Sequence, residues 1–248
     1  MRLARHHRLL SAGLVVAILL VGWRGVRVVQ LRRSVDGYRD HWSRPQGDPG
    51  GLVYVALGDS TAQGIGASRP ERGYVGLLAE RLRAATGRPV QVINLSRSGA
   101  KVADVVADQL SGLAHLSPDV VTVGVGANDV KRYDGAEFHR AVDALVAGLP
   151  AGTLVADVPW FMHGAIGRTS GEAAEYLAGT AAARGLPVAS LYRATRDRGW
   201  GAMLTDFAAD WFHPNDRGHR VWADAFWAAL EPAVTGWRSA SRPARRGT

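Results

Sequence analysis

The sequence predicts an α/β domain in three layers, with helices on both faces of a five-stranded parallel sheet, preceded by an N-terminal hydrophobic helix. Three observations predict it. After Gly51, short β-rich apolar runs alternate with longer segments of helical periodicity. The runs are nearly continuous in apolar residues, as expected of strands buried on both faces. Each run is followed by a helix-like segment, the arrangement that builds a parallel sheet between helical layers.

Taken in order, the strand-like runs are Leu52–Leu57, Val90–Leu95, Val120–Val125, Thr153–Val158 and, more weakly, Leu186–Leu191. Helical segments fall near 72–86, 101–113, 135–148, 171–184 and 215–230. The last is the clearest, because Val221, Trp222, Ala225, Phe226, Ala229 and Leu230 recur at helical spacing. Such sheets place ligands beyond the carboxyl ends of their strands, so the chemistry is sought there.

The flanks differ in character. Residues 1–33 contain the uncharged run Leu9–Trp23, preceded by Arg2, Arg5 and Arg8 and followed by Arg24 and Arg27. A basic segment before an apolar one has the form of a secretory signal. However, bulky Val21, Trp23 and Val26 occupy the region where a small-residue cleavage site would lie. An uncleaved membrane anchor, with the folded domain facing outward, is therefore preferred to a cleaved signal and a secreted protein. Residues 34–50 have no apolar periodicity and several Gly and Pro, and read as a linker. The domain then spans 51–237, and the basic tail 238–248 is expected to be disordered.

A net charge of +8 suggests nucleic acid until it is mapped. Seven arginines lie within residues 1–33 and four within 238–248, with no acid in either segment. Without those eleven, residues 34–237 carry 19 basic against 22 acidic residues. A nucleic-acid-binding domain needs its basic face on the folded part, so no nucleic-acid partner is expected. Charge beside an apolar segment suits a membrane surface instead. The absence of cysteine excludes disulfides, thiolate metal sites and cysteine nucleophiles.

Four strand ends carry polar groups. The first run leads into Gly58-Asp59-Ser60-Thr61, where a serine can present its hydroxyl and its own N–H to a cleft. The second leads to Asn94-Leu95-Ser96-Arg97-Ser98-Gly99, with a glycine N–H unobstructed by any side chain. The third ends in Gly124-Val125-Gly126-Ala127-Asn128-Asp129, and Asn128 offers a neutral amide donor suited to a developing oxyanion. Read singly, each also fits a routine turn or helix cap. Before the last helix stands Asp210-Trp211-Phe212-His213-Pro214. An aspartate three residues before a histidine can accept from Nδ1–H and leave Nε2 free to take a serine proton. The pair alone is also compatible with a metal, but with no third clustered ligand no metal is expected, and no cofactor. Trp160, Phe161, Met162 and His163, after the fourth run, are candidates to line the pocket.

The sequence at this point resembles the SGNH hydrolases, also called the GDSL esterase/lipase family. Gly58-Asp59-Ser60, Gly99, Gly126-Ala127-Asn128-Asp129 and Asp210-Trp211-Phe212-His213-Pro214 match its four blocks in order, across roughly residues 52–232. The resemblance implies a flavodoxin-like sheet and ester hydrolysis through an acyl-serine. It also implies an oxyanion hole made by the N–H groups of Ser60 and Gly99 with the Asn128 side chain. The α/β-hydrolase alternative needs G-x-S-x-G, whereas Thr61 and Ala62 follow Ser60. Gly64-Ile65-Gly66 lacks the third glycine of a dinucleotide fingerprint.

The expected activity is hydrolysis of small-molecule, lipid or glycan carboxylic esters, with Ser60, Asp210 and His213 catalytic and Trp160 and Phe161 binding substrate. One rival is a deacetylase or acyltransferase acting on cell-envelope glycans with the same residues. A rival of another class is a non-catalytic envelope-binding protein on an esterase scaffold, and the intact Ser60, Asp210 and His213 argue against it.

Overall fold

The computed structural model describes residues 2–161 and 164–240, with side chains at 19, 21–161 and 166–235. Six strands form one sheet: β1 (Gln46–Gly47), β2 (Leu52–Gly58), β3 (Val90–Asn94), β4 (Val120–Gly124), β5 (Leu154–Ala156) and β6 (Val188–Ala189), in the order β1-β3-β2-β4-β5-β6. The five strands expected from the sequence are all present and mutually parallel. The sixth, β1, pairs antiparallel with β3 at the edge and corrects the expected count. Two polar residues, Gln46 and Gly47, give no apolar pattern from which such a strand could be read.

Alternation along β2 builds the core. Leu52, Tyr54 and Ala56 enter one apolar layer, while Val55 and Leu57 enter the other. The first layer is closed by α2 (Tyr74–Thr86) and α9 (Asp216–Ala240), whose Leu78, Leu82, Phe226 and Leu230 pack against the sheet. The second is closed by α5 (Gly135–Gly148) and α6 (Gly164–Ala183), and by a helical stretch of three parts. These parts are α3 (Val102–Asp104), a π-helical segment Val105–Gln109 and α4 (Leu110–Ala114). Short helices α7 (Leu191–Arg196) and α8 (Ala202–Thr205) follow β6.

Among the parallel strands the chain lays down β2 first, adds β3 on one side and then crosses to β4 on the other. This is the flavodoxin-like order, and its crevice opens where the two directions diverge, at the carboxyl ends of β2 and β4.

The N-terminal helix α1 runs from Arg2 to Trp42. Residues 34–42 therefore continue the helix, where the sequence reading placed a linker. The physical reason is burial: Tyr38 and Trp42, one helical turn apart, both pack on the domain. The Tyr38 hydroxyl donates to the Ala67 carbonyl at 2.7 Å, and Trp42 Nε1 donates to the Gln63 carbonyl at 2.9 Å. Among the described residues no helix is long and apolar enough to cross a membrane. Most side chains of Leu9–Trp23, on which the anchor expectation rests, lie outside the described residues. At the other end α9 extends to Ala240, and the rest of the basic tail, 241–248, is outside them.

Candidate active site

Strands β2 and β4 end level, with Gly58 opposite Gly124. The end of β2 is held by a side chain from the π-helical segment. Gln109 Oε1 accepts from Gly58 N–H and its Nε2 donates to the Gly58 carbonyl, both at 2.8 Å. The turn that follows is braced from within, as Asp59 Oδ1 accepts from Thr61 N–H at 2.8 Å. Ser60 sits on this turn, nearly buried, with its hydroxyl facing a loop from the far end of the chain.

That loop carries Asp210 and His213. Asp210 Oδ1 accepts from the N–H groups of Phe212 and His213, each at 3.1 Å, folding the backbone back on itself. Trp211, at the bend, has φ 53, the left-handed conformation that non-glycine residues adopt at a cost. The Ala208 N–H donates to the His213 carbonyl at 2.8 Å and closes the loop. At the start of α9, Asn215 Oδ1 caps the N–H groups of Arg217 and Gly218. Its Nδ2 donates to the carbonyls of Thr205 and Phe207.

The result is a line of two hydrogen bonds. Ser60 Oγ lies 2.9 Å from His213 Nε2, across 153 positions of sequence. His213 Nδ1 lies 2.5 Å from Asp210 Oδ2. Burial pushes the Asp210 carboxyl up, but the hydrogen bond and charge of His213 and the two backbone N–H groups outweigh it and hold the carboxyl below its ordinary range. The approach of the two segments depends on Gly66, at φ 98. A Cβ there would stand 2.2 Å from the Pro214 carbonyl oxygen and 2.9 Å from His213 Cβ.

Gly99 and Asn128 flank Ser60 from the ends of the neighbouring strands. Gly99 has φ 82, with open space where a side chain would be. Its loop is pinned to the Ser60 turn, since Gln63 Nε2 donates to the Ser96 carbonyl and the Ser98 hydroxyl donates to Gln63 Oε1. Among the described residues, the N–H groups of Ser60 and Gly99 make no intramolecular hydrogen bond. One N–H of the Asn128 amide is committed to the Ala100 carbonyl at 3.1 Å, and Nδ2 stands 3.5 Å from Asp59 Oδ2. Lys131 Nζ donates to Asn128 Oδ1 at 3.4 Å and lies 3.4 Å over the centre of the Phe212 ring. Burial raises the Asp59 carboxyl, against the opposing pull of the Thr61 hydrogen bonds and of His213 and Lys131.

An apolar cavity lies beside the turn that carries Ser60: Trp160 and Phe161 are on its wall with Thr61, Ala127 and Phe212, whereas Ser60 and His213 themselves are not. Phe161 stacks on Phe212, ring centres 5.6 Å apart, and Phe212 meets the His213 ring edge-on at 5.0 Å. The cavity is narrow. Its volume is about 30 Å³, room for two or three waters at roughly 10–15 Å³ each. Met162 and His163 lie outside the described residues.

The structure thus brings Ser60, Gly99, Asn128, Asp210 and His213 together, with Trp160 and Phe161 on the neighbouring cavity wall. Sequence reasoning missed Gln109, Gln63 and Lys131. Lys131 stands three residues beyond Asn128, and Gln109 follows Asp108 in a helical stretch of mixed polarity, signals too common to select either.

Comparison with known proteins agrees with this architecture. The model of the GDSL-like lipase/acylhydrolase family matches residues 56–221. Among solved structures, LAE5, an alpha/beta hydrolase enzyme from the metagenome of Lake Arreo, Spain, is 26% identical with a TM-score of 0.62, covering 73% of this chain and 95% of its own. TesA is 23% identical with a TM-score of 0.60, covering 73% and 99%. A variant of Axe2, an acetyl xylan esterase from Geobacillus stearothermophilus, is 24% identical with a TM-score of 0.60, covering 72% and 94%. The last two likenesses bear on the fold alone. No curated protein sequence matches the chain significantly. With more than half its length matched and its fold shared, the chain belongs to the GDSL-like lipase/acylhydrolase family of ester hydrolases.

Proposed function

We propose that the protein hydrolyses carboxylic esters of short acyl groups through an acyl-Ser60 intermediate. The observation that carries the proposal is the line from Ser60 Oγ through the His213 ring to Asp210, at 2.9 and 2.5 Å. Ser60 attacks the ester carbonyl while His213 Nε2 takes its proton, and Asp210 orients the ring and stabilises the imidazolium. The free N–H groups of Ser60 and Gly99, with an N–H of Asn128, receive the charge that develops on the carbonyl oxygen. His213 then gives its proton to the departing alcohol and activates the water that releases the acid. Asn128 is steered by Ala100 and Lys131, and its weak 3.5 Å contact with Asp59 is readily given up.

The narrow cavity supports the restriction on the acyl group, and Trp160 and Phe161 are its binding walls. An acetylated envelope glycan suits the same pocket, so deacetylation or acyl transfer on such a glycan is the second reading. The N-terminal segment holds the enzyme at a membrane, which the arginines flanking Leu9–Trp23 support, and the catalytic domain faces away from the cytoplasm. Two experiments test the reading. Ser60→Ala lowers hydrolysis of p-nitrophenyl acetate about 10⁴-fold or more, and a variant that kept wild-type turnover would refute the nucleophile. Across p-nitrophenyl esters, kcat/KM is expected to fall as the acyl chain lengthens beyond butyrate. A rise toward palmitate would refute the short-acyl pocket.

A further inference from the structure

Eight large hydrophobic side chains are exposed among the described residues, and they fall in only two places. Five lie on α1 between Leu19 and Val29, and the other three, Trp200, Leu204 and Trp211, lie on the segment that leads into the Asp210–His213 loop. The two places adjoin. Trp23, Arg24 and Arg27 share one surface groove with Leu204 and Trp211. The Arg24 guanidinium lies 3.8 Å over the Trp211 ring. Trp211 directly follows Asp210, and Trp200 meets Trp160 of the cavity wall edge-on at 5.9 Å. An exposed apolar patch thus borders the mouth of the cleft.

Soluble proteins rarely leave such side chains together in water without something to cover them. The composition indicates what covers this one. Tryptophans and aliphatic residues edged by arginines match the boundary between acyl chains and headgroups of a bilayer. Arg24, Arg27, Arg32 and Arg33 accompany the patch, and α1 carries no acid before Asp36, so the charge complements anionic lipid. A symmetric pairing of two copies would set these arginines against their own counterparts.

We propose that this patch docks on an anionic lipid bilayer, so that the Ser60 cleft opens at the membrane surface, within reach of esters held there. The proposal deepens the membrane part of the reading above and is independent of its chemistry. The chain has no cysteine, so one introduced thiol takes a label uniquely. Full-length Leu204→Cys and Ala151→Cys proteins, carrying an environment-sensitive fluorophore, are mixed with phosphatidylcholine/phosphatidylglycerol vesicles. Leu204 is 83% exposed in the patch, whereas Ala151 is exposed in the turn before β5, at the amino-terminal end of the strands and away from the cleft. The expected result is a blue shift and at least two-fold brighter emission at position 204, quenched by bilayer-embedded quencher, with no change at 151. If the protein pellets with vesicles while the label at 204 stays in water, the patch proposal falls and the N-terminal anchor stands. Failure to pellet overturns both but leaves ester hydrolysis to its own test. A blue shift at 204 without vesicles, growing with protein concentration, assigns the patch to a second copy of the chain and overturns the proposal.

Discussion

Single side chains at this site divide into those proposed to react and those that hold them. Asn128 belongs to the first group, and its contribution is confined to the charged stage of the reaction. Asn128→Ala is therefore expected to lower kcat by a factor of about 10²–10³, or roughly 2.7–4 kcal/mol, with little change in KM. Steady-state kinetics on p-nitrophenyl acetate checks it; a rise in KM at constant kcat would place Asn128 in ground-state binding instead. His219 belongs to the second group. It is fully buried, accepts from the Tyr74 N–H at Nδ1 (3.3 Å) and donates from Nε2 to the Ile65 carbonyl (3.2 Å), bracing the stretch between Ser60 and Gly66. Burial lowers its pKa from 6.5 to about 4. Below pH 6.5 the unfolded chain takes up a proton that the folded one refuses until about pH 4. Stability therefore falls as pH drops through that window, by up to about 3 kcal/mol. Denaturant midpoints at pH 7.5 and 4.5 are expected to separate for wild type by more than for His219→Asn. Groups such as Asp129, raised by burial to about 7, act in both proteins and cancel in the comparison.

At the scale of elements, the site is made by the meeting of the turn after β2 with the loop before α9, and Gly66 is the point of contact. Gly66→Ala puts a Cβ into the Pro214 carbonyl at a φ of 98. It is expected to lower Tm by roughly 3–10 °C, the equivalent of about 1–3 kcal/mol in a domain this size, and to reduce kcat at least ten-fold. Thermal melting and kinetics on the purified variant measure both; an unchanged melting point would show that the two segments have room to part. The Gln109 brace acts on the other side of the turn. Gln109→Leu leaves the Gly58 N–H buried without a partner, while the Gly58 carbonyl keeps the Arg97 N–H at 3.1 Å, at about 1–3 kcal/mol for the orphaned donor. The expected outcome is a lower unfolding midpoint, whereas an unchanged one would mean that water replaces the amide.

For the whole molecule, sequence was most informative where physical demands are local. A strand buried on both faces must be apolar throughout, so Leu52–Leu57 and Val120–Val125 declared themselves, and their carboxyl ends delivered Ser60 and Asn128 to one crevice. Where a structure rests on distant partners, the sequence was silent. Gln46 and Gly47 form a strand only because Val92 and Gln91 stand beside them. Tyr38 and Trp42 extend α1 because Ala67 and Gln63 offer carbonyls to them, against the impression left by Gly37 and Pro45. The pairing of positions 60 and 213 was inferable from order and strand ends, but its 2.9 Å geometry needed coordinates. The most direct test of the central claim is to map the covalent adduct formed when folded protein reacts with a fluorophosphonate. One adduct per chain is expected, on Ser60, with its formation slowed roughly a hundred-fold or more in His213→Ala. An adduct on another residue, or labelling of Ser60 at an unchanged rate without the imidazole, would contradict it.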